Sequence, residues 1–363
     1  LTIILRTCSS VNMLTQSKKR LFEKEKSEYT LRSLNSIIKS INYAKELFEN
    51  INLELIVVDH NSEKKIIDKI KSILSNQFFK SNFISLNIDD FIKDIKPINA
   101  KKEQVIPNQI SNMSNIHQSL LLAKKSEDLV YFVEDDYIHS VQALKEMILT
   151  YEKLSSMLKT ELILCPADYP YLYSEIQNTN ILLGDKRHWR TVKETLCTFL
   201  ISKEMVLKYW KELTSMCEFE HYPFEKPLHN IYEKEYCLTP IPSMAVHLTN
   251  INSIFGLSPN IDWKKNLNCD YKLNNNGSNL NLVTNIELSE LDIKNQNLIK
   301  NYLSEKNDIL NLKDHKIKLE YNDNILSLEG LGKIKFEEEL NKIEYFFSTK
   351  DKVYNFETEL EIN

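Results

Sequence analysis

The chain has 363 residues, 42% of them hydrophobic, which suits one core of roughly 250 residues with a smaller appendage. A formal net charge of -5 leaves no basic excess, so nucleic acid is not an expected partner. The five glycines, at 184, 256, 277, 330 and 332, cannot build GxGxxG or GxxxxGK followed by Ser or Thr, which excludes the common dinucleotide and phosphate loops.

In chain order, the first apolar run is Leu1-Thr-Ile-Ile-Leu, ending on Arg6 and Thr7. Short continuous apolar runs bounded by polar residues suit strands buried on both faces of a parallel sheet. A basic run from Lys18 to Lys26 follows and reads as a solvated helix face, with contact to an anionic lipid or phosphorylated ligand as the alternative. Leu31, Leu34, Ile37, Ile38, Ile41, Ala44, Leu47 and Phe48 recur at helical spacing, and the second strand, Leu53 to Val58, ends on Asp59-His60. Ile66, Ile67, Ile70, Ile73 and Leu74 mark another helix, Phe83 to Leu86 a short strand, and a polar stretch over 96–112 leads into a helix with Ile116, Leu120, Leu121 and Ala123.

The third exposed-ended strand is Leu129-Val-Tyr-Phe-Val, which runs into Glu134-Asp135-Asp136-Tyr137. A helix through Val141, Leu144, Ile148 and Leu149 precedes a fourth apolar run, Glu161 to Ala167, ending on Asp168. Residues 168–190 are rich in aromatic and polar groups and are expected to form a substrate-facing loop. Thr195 to Ile201 then reads as a strand, and Met205, Val206, Tyr209, Trp210 and Leu213 as a helix. The alternation predicts an α/β fold of βαβ units. At 264–285 the composition turns to Asn, Lys and Ser, so the domains are expected at 1–265 and 266–363. In the second, a helix over 286–303 and strands at Lys316 to Tyr321, Ile325 to Leu328, Lys333 to Phe336 and Ile343 to Phe347 suggest a small β-rich or α+β appendage.

The six cysteines show no metal-ligand spacing and are expected to be free thiols. No apolar stretch approaches the ~20 residues of a membrane span, and Leu1 follows no basic leader, so the expected location is cytoplasmic, with possible peripheral contact at the inner face of a membrane.

In open α/β sheets ligands bind outside the carboxyl ends of the strands, so Arg6, Asp59, the acids 134–136 and Asp168 are expected to converge there. Three adjacent acids at a strand end repel one another and need a positive partner. A divalent cation supplies it, since Mg2+ takes one or two carboxylates, waters and substrate phosphates. Strand alternation sets Glu134 and Asp136 on one side and Asp135 on the other. The competing reading is a strand-to-helix loop with an acid capping a helix that starts near His139 or Ser140.

The order of elements over 1–260 resembles the GT-A nucleotide-diphosphosugar glycosyltransferases, in a family 2-like form. Ile56-Val-Val-Asp59-His-Asn-Ser-Glu63 is similar to the family's second strand, and Tyr131-Phe-Val-Glu134-Asp135-Asp136-Tyr-Ile138 resembles its DxD-type metal motif. The resemblance implies a GT-A, Rossmann-like, mostly parallel central sheet flanked by helices. It implies Asp136 as ligand of Mn2+ or Mg2+, Glu134 and Asp135 toward ribose, sugar or metal-bound water, and Asp59 at the nucleotide base. Family members often add a late histidine, for which His247 is the candidate ahead of His188, His221 and His229. Arg6 and Thr7 leave the first strand where the family binds the donor; an ion pair between Arg6 and Asp59 is the alternative for Arg6. Asn112, Ser114 and Asn115 could approach the donor, although an ordinary helix cap explains any of them equally well.

An inverting transfer needs a carboxylate base at the acceptor hydroxyl, whereas a retaining one would need no such base in the same place. Asp168 is one candidate, with Glu194, Glu220 and Glu225 as rivals; Tyr169, Trp189 and Arg190 are candidate acceptor contacts, and Trp189 is equally at home in the core. The implied activity is a metal-dependent glycosyltransferase, hexosyltransferase-type, moving a sugar from a UDP- or GDP-sugar to a glycan or lipid-linked acceptor, as in polysaccharide biosynthesis. A nucleotidyltransferase, or a non-catalytic sugar-binding protein on the same scaffold, is the alternative.

Overall fold

The computed structural model describes residues 1–10, 25–48, 50–173 and 176–248, together with the backbone of four strands beyond residue 281. The chain divides into two compact units, Leu1–Tyr271 and Lys272–Asn363.

The first unit is α/β. Its elements are β1 (Thr2–Thr7), α1 (Lys26–Leu47), β2 (Glu54–Asp59), α2 (Lys64–Ser75), β3 (Lys80–Ser85), α3 (Pro107–Lys125), β4 (Leu129–Glu134), β5 (Tyr137–His139), α4 (Ala143–Leu158), β6 (Ile163–Leu164), β7 (Ile181–Leu183), β8 (His188–Val192), β9 (Phe199–Ser202), α5 (Lys203–Lys208), α6 (Trp210–Glu218), α7 (Lys226–Tyr232), β10 (Cys237–Ile241) and β11 (Ala245–His247). Nine strands form one sheet in the order β3-β2-β1-β4-β9-β6-β10-β8-β7. Every strand but β9 and β8 runs in the direction of β1, so the sheet is mixed and mostly parallel in strand sense.

The apolar runs become strands because both faces of the sheet are covered. Ile3, Leu5, Leu55, Val57, Tyr131 and Val133 pack under α1, α2 and α4. Ile4, Ile56, Val58, Val130 and Phe132 face α3, α5, α6 and α7. On α1, Leu34, Ile37, Ile41 and Ala44 are fully buried, each large apolar side chain contributing about 1.5–3 kcal/mol by burial.

Several boundaries differ from expectation. The polar stretch before residue 112 already contains the start of α3, because Pro107 has the fixed φ that suits the first helical position. The segment 168–190 is not a loop throughout: β7 and β8 form a hairpin at the sheet edge, and at its turn a Cβ on Gly184 would collide with Thr150 and Trp189. The strand predicted at Thr195 to Ile201 is β9, inserted antiparallel between β4 and β6, and the following helix is two, divided at Tyr209. The expected helix start at His139 or Ser140 is instead β5, and α4 begins three residues later.

Taken by itself, the second unit contains a four-stranded antiparallel meander, β12 (Leu282–Glu287), β13 (Lys316–Asn322), β14 (Ile325–Leu328) and β15 (Gly332–Lys335). Three of these match predicted strands or overlap them. Ile286 and Glu287, expected to open a helix, close β12; the remainder of that helix and the strand at Ile343 to Phe347 lie outside the described residues.

Candidate active site at the strand exits

At the ends of β1, β2 and β4 the register sets neighbours side by side: Thr7 opposite Asp59, and Arg6 opposite Glu134. Thr7 Oγ1 donates to Asp59 Oδ1 at 2.7 Å, and Ser62 donates its hydroxyl to the same oxygen and its backbone N–H to Oδ2 at 3.3 Å. Burial raises the Asp59 pKa, while these bonds pull against it. Arg6 does not pair with Asp59. Its Nη2 lies 3.1 Å from Glu134 Oε1 and its Nη1 donates to Asn112 Oδ1 at 2.9 Å. Residues two apart share a strand face, and Arg6 is one position away from the face that carries Thr7 and Asp59.

The strand ends at Glu134, so strand alternation does not extend through Asp135 and Asp136, which form the turn after it, and the three carboxylates go separate ways. Glu134 faces α3 with Arg6, and its pKa is raised by burial against the lowering effect of that guanidinium. Asp135 turns to the opposite side, where Lys26 Nζ and Thr30 Oγ1 (2.8 Å) donate to its carboxylate together with the backbone N–H of Cys8 (3.2 Å). Burial alone would lower the Lys26 pKa, but the charges of Asp135 and Asp136 outweigh it and raise the net value.

Asp136 meets His247, with Oδ2 3.2 Å from Nε2. A two-stranded ribbon brings them together: β5 and β11 are antiparallel with His247 opposite Tyr137, and Leu248 N donates to the Asp136 carbonyl at 2.8 Å. The His247 ring stacks on Tyr137 at 4.9 Å between centroids, and the Tyr137 hydroxyl shares a 2.6 Å hydrogen bond with Tyr169. Among the described residues no group of three or more His, Cys, Asp or Glu forms a closed metal cage. The Asp136–His247 pair alone suits two adjacent positions of an octahedral ion, which lie roughly 3 Å apart at 2.0–2.1 Å ligand distances.

The candidates for base and acceptor contact fall differently. Asp168 is fully buried and accepts from Arg190 Nε and Nη2, at 3.1 and 2.7 Å, on Oδ1 and from Tyr173 on Oδ2. Both oxygens are occupied, as in a structural ion pair, so Asp168 and Arg190 serve each other. Trp189 is 0% exposed in the core, with Nε1 3.4 Å from Glu146 Oε1, and Tyr169 is 0% exposed beneath Tyr137. Neither ring surface is available to an acceptor; a strand face against α4 and an inward turn after β6 have claimed them. Glu194 is exposed, and Glu220 is partly buried with its backbone N–H on Ile98.

Glu225, at the start of α7, is partly buried and its pKa is raised to about 7, by burial first and then by the charge of Glu134, with His247 and Arg6 acting in the opposite sense. It is thus the one rival carboxylate that shares the field of the acid cluster while standing near neutrality.

From α3, Asn115 is 4% exposed, donates Nδ2 to the Val58 carbonyl at 3.1 Å and leaves Oδ1 without a partner among the described residues, while Ser111 Oγ lies 2.6 Å from His60 Nδ1. Ser114 is bonded back to Ile110 within the helix. Sequence reasoning missed Thr30, Ser62 and Ser111, and it read Lys26, the end of the basic run, as part of a solvated helix face, whereas its side chain is 12% exposed and bonded to Asp135; residues 18–24 of that run lie outside the described residues. For Thr30 a signal existed: hydroxyl residues at 30, 33, 36 and 40 repeat at helical spacing beside the apolar stripe. The cysteines at 8, 165, 197, 217 and 237 are free. No helix among the described residues is long and apolar enough to cross a membrane.

No family model matches this chain, and no curated protein is similar to it in sequence. Among solved structures it is similar to S. aureus TarS, with 14% identity over 57% of this chain and 29% of that one and a TM-score of 0.31. It is also similar to the galactosyltransferase LgtC in complex with donor and acceptor sugar analogs, with 11% identity, 59% and 64% coverage and a TM-score of 0.28. A third is UDP-glucose pyrophosphorylase complexed with UDP-glucose, with 6% identity, 66% and 89% coverage and a TM-score of 0.34. The chain therefore spans less than two thirds of the length of the first two.

Proposed function

We propose that the chain is a metal-dependent glycosyltransferase that takes its sugar from a nucleotide-diphosphate donor, a UDP- or GDP-sugar, and passes it to the hydroxyl of a glycan or lipid-linked acceptor. The observation that carries this reading is the Asp136–His247 pair, held by a dedicated β-ribbon beside two further acids at parallel strand exits. In the proposed site Asp136 and His247 would hold Mn2+ or Mg2+, which would supply positive charge to offset that of the diphosphate leaving group.

The chain's own groups supply the remainder. Asp59, whose Oδ2 accepts one long bond among the described residues, has acceptor capacity for a nucleobase N–H. Arg6, 7% exposed and fixed by Glu134 and Asn112, sets a positive charge near the β1 exit that would attract the phosphates of a donor. Glu225 is the proposed general base, since a carboxyl poised near 7 combines a usable ionised fraction with a real affinity for the proton. As the acceptor oxygen bonds to the anomeric carbon, its proton passes to Glu225. The bond from that carbon to the phosphate oxygen breaks, and its electron pair leaves on the nucleoside diphosphate. Attack opposite the leaving group inverts the anomeric configuration.

Calorimetric titration of UDP, GDP and CMP with and without Mn2+, on the full chain and on Asp136→Ala, tests the reading. Metal-dependent binding of one nucleotide, lost in the variant, is expected; no binding of any nucleotide by the full chain would overturn it. A transfer assay with the matching nucleotide sugar then separates an enzyme from a binding protein.

A further inference from the structure

A stripe of α1 carries polar side chains, and four of them reach the same piece of chain, residues 134–139. Lys26 Nζ and Thr30 Oγ1 donate to Asp135, Ser33 Oγ donates to the Glu134 carbonyl at 3.3 Å, and Ser36 Oγ accepts from the His139 backbone N–H at 3.0 Å. One turn farther on, Ser40 Oγ accepts from Leu144 N at 2.8 Å, in the first turn of α4 and beyond the acid segment. Residues 26, 30, 33, 36 and 40 follow the i, i+3 and i+4 spacing of one helix face, so a single rigid rod holds the backbone on both sides of Asp136.

We infer that this stripe of α1, through Lys26, Thr30, Ser33 and Ser36, is the positioning element that sets Asp136 against His247, and that Asp135 is its point of attachment rather than a contact to donor or cation. The inference rests on the reading of Asp136 and His247 as the cation pair. Three features support it. The Asp135 carboxylate is already engaged by an ammonium, a hydroxyl and a backbone N–H, and is 7% exposed. Ser33 and Ser36 grip the backbone two residues before and three residues after Asp136, which fixes the short segment that carries its carboxylate. The ribbon partner of His139 is Ala245, two residues from His247, so the Ser36 bond acts on the ribbon that carries the histidine. A supporting shell of this kind typically changes metal affinity by 10–100-fold when it is removed.

The test uses the full chain and four near-isosteric variants: Thr30→Val, Thr30→Ser, Ser36→Ala and Ser40→Ala. Manganese affinity is titrated with the nucleotide that the full chain binds, and thermal unfolding is recorded beside it. Thr30→Val and Ser36→Ala are expected to weaken Mn2+-dependent nucleotide binding about 5- to 10-fold, Thr30→Ser to restore it, and Ser40→Ala to lower the melting temperature comparably while leaving affinity unchanged. A shift of equal size in Ser40→Ala would show a stability effect and overturn the positioning role. So would unaltered affinity in both Thr30→Val and Ser36→Ala. If the wild-type chain shows no cation-dependent binding, the underlying functional reading falls instead, and the positioning inference falls with it.

Discussion

Asp136 and His247 stand 111 residues apart in the chain, yet Oδ2 lies 3.2 Å from Nε2. Neither is placed by the main sheet. Asp136 is in the turn that leaves β4, and His247 ends a three-residue strand whose partner is the equally short β5. Two strands of that length have little stability of their own, so the pair depends on Tyr137 under the imidazole ring and on the α1 contacts.

His247→Ala is therefore expected to reduce Mn2+-dependent nucleotide affinity by more than tenfold. His247→Gln should recover part of it, because an amide oxygen can still reach a hard cation. Calorimetry with and without Mn2+ reads both. Equal affinity for the alanine variant and the wild type would remove His247 from the site.

Arg6 and Glu134 are coupled across β1 and β4. Replacing Arg6 with Met leaves the partly buried carboxyl without its cation and should destabilise the fold by about 2 kcal/mol. Glu134→Gln in the same background should return part of that loss, since the unpaired charge is gone. A double-mutant cycle in urea measures the coupling, expected at roughly 1–2 kcal/mol; additive losses would mean that the ion pair contributes nothing.

The strand exits were legible in the sequence because apolar runs and their terminal acids are local patterns: Asp59 and the acids 134–136 stand at the ends of β2 and β4. What was not legible came from contacts distant in sequence. Nothing near Trp189 indicates that β8 would present it to α4, and nothing near Asp168 indicates that Arg190 and Tyr173 would occupy both of its oxygens. Asp168 stood among the candidate bases because of a strand-exit rule that holds for parallel strands. The β7–β8 hairpin, antiparallel at that edge, covers the Asp168 exit instead of leaving it open.

Asp168 and Arg190 should behave as a structural pair. Arg190→Met strands a fully buried carboxylate and is expected to cost about 3–5 kcal/mol. Arg190→Lys should recover little, because an ammonium cannot reproduce the two guanidinium bonds to Oδ1. Chemical denaturation at pH 7 gives the comparison; a stable Arg190→Met chain that has lost only transfer activity would return the pair to the chemistry.

Glu225 couples stability and activity to pH with opposite signs. Its folded pKa is raised from 4.5 to about 7, so the folded state binds the proton more tightly than the unfolded chain does. The stability this confers is complete below pH 4.5 and is lost as pH rises through 7, a total on the order of 3 kcal/mol. Glu225→Gln keeps the shape without the charge, and above pH 7 it should be more stable than wild type by an amount of that order, with the advantage vanishing near pH 4.5. Transfer should move the other way, kcat/KM rising with pH through about 7 in the wild type as the base ionises. The variant should lose turnover by about 100-fold or more and with it that limb of the profile, while still binding the nucleotide with Mn2+. Unfolding curves and pH–rate profiles on the same two proteins decide the matter. A Gln variant that keeps both turnover and the ionisation limb would exclude Glu225 as the base, and one that is less stable than wild type at pH 8 would show that its carboxylate is held by favourable interactions.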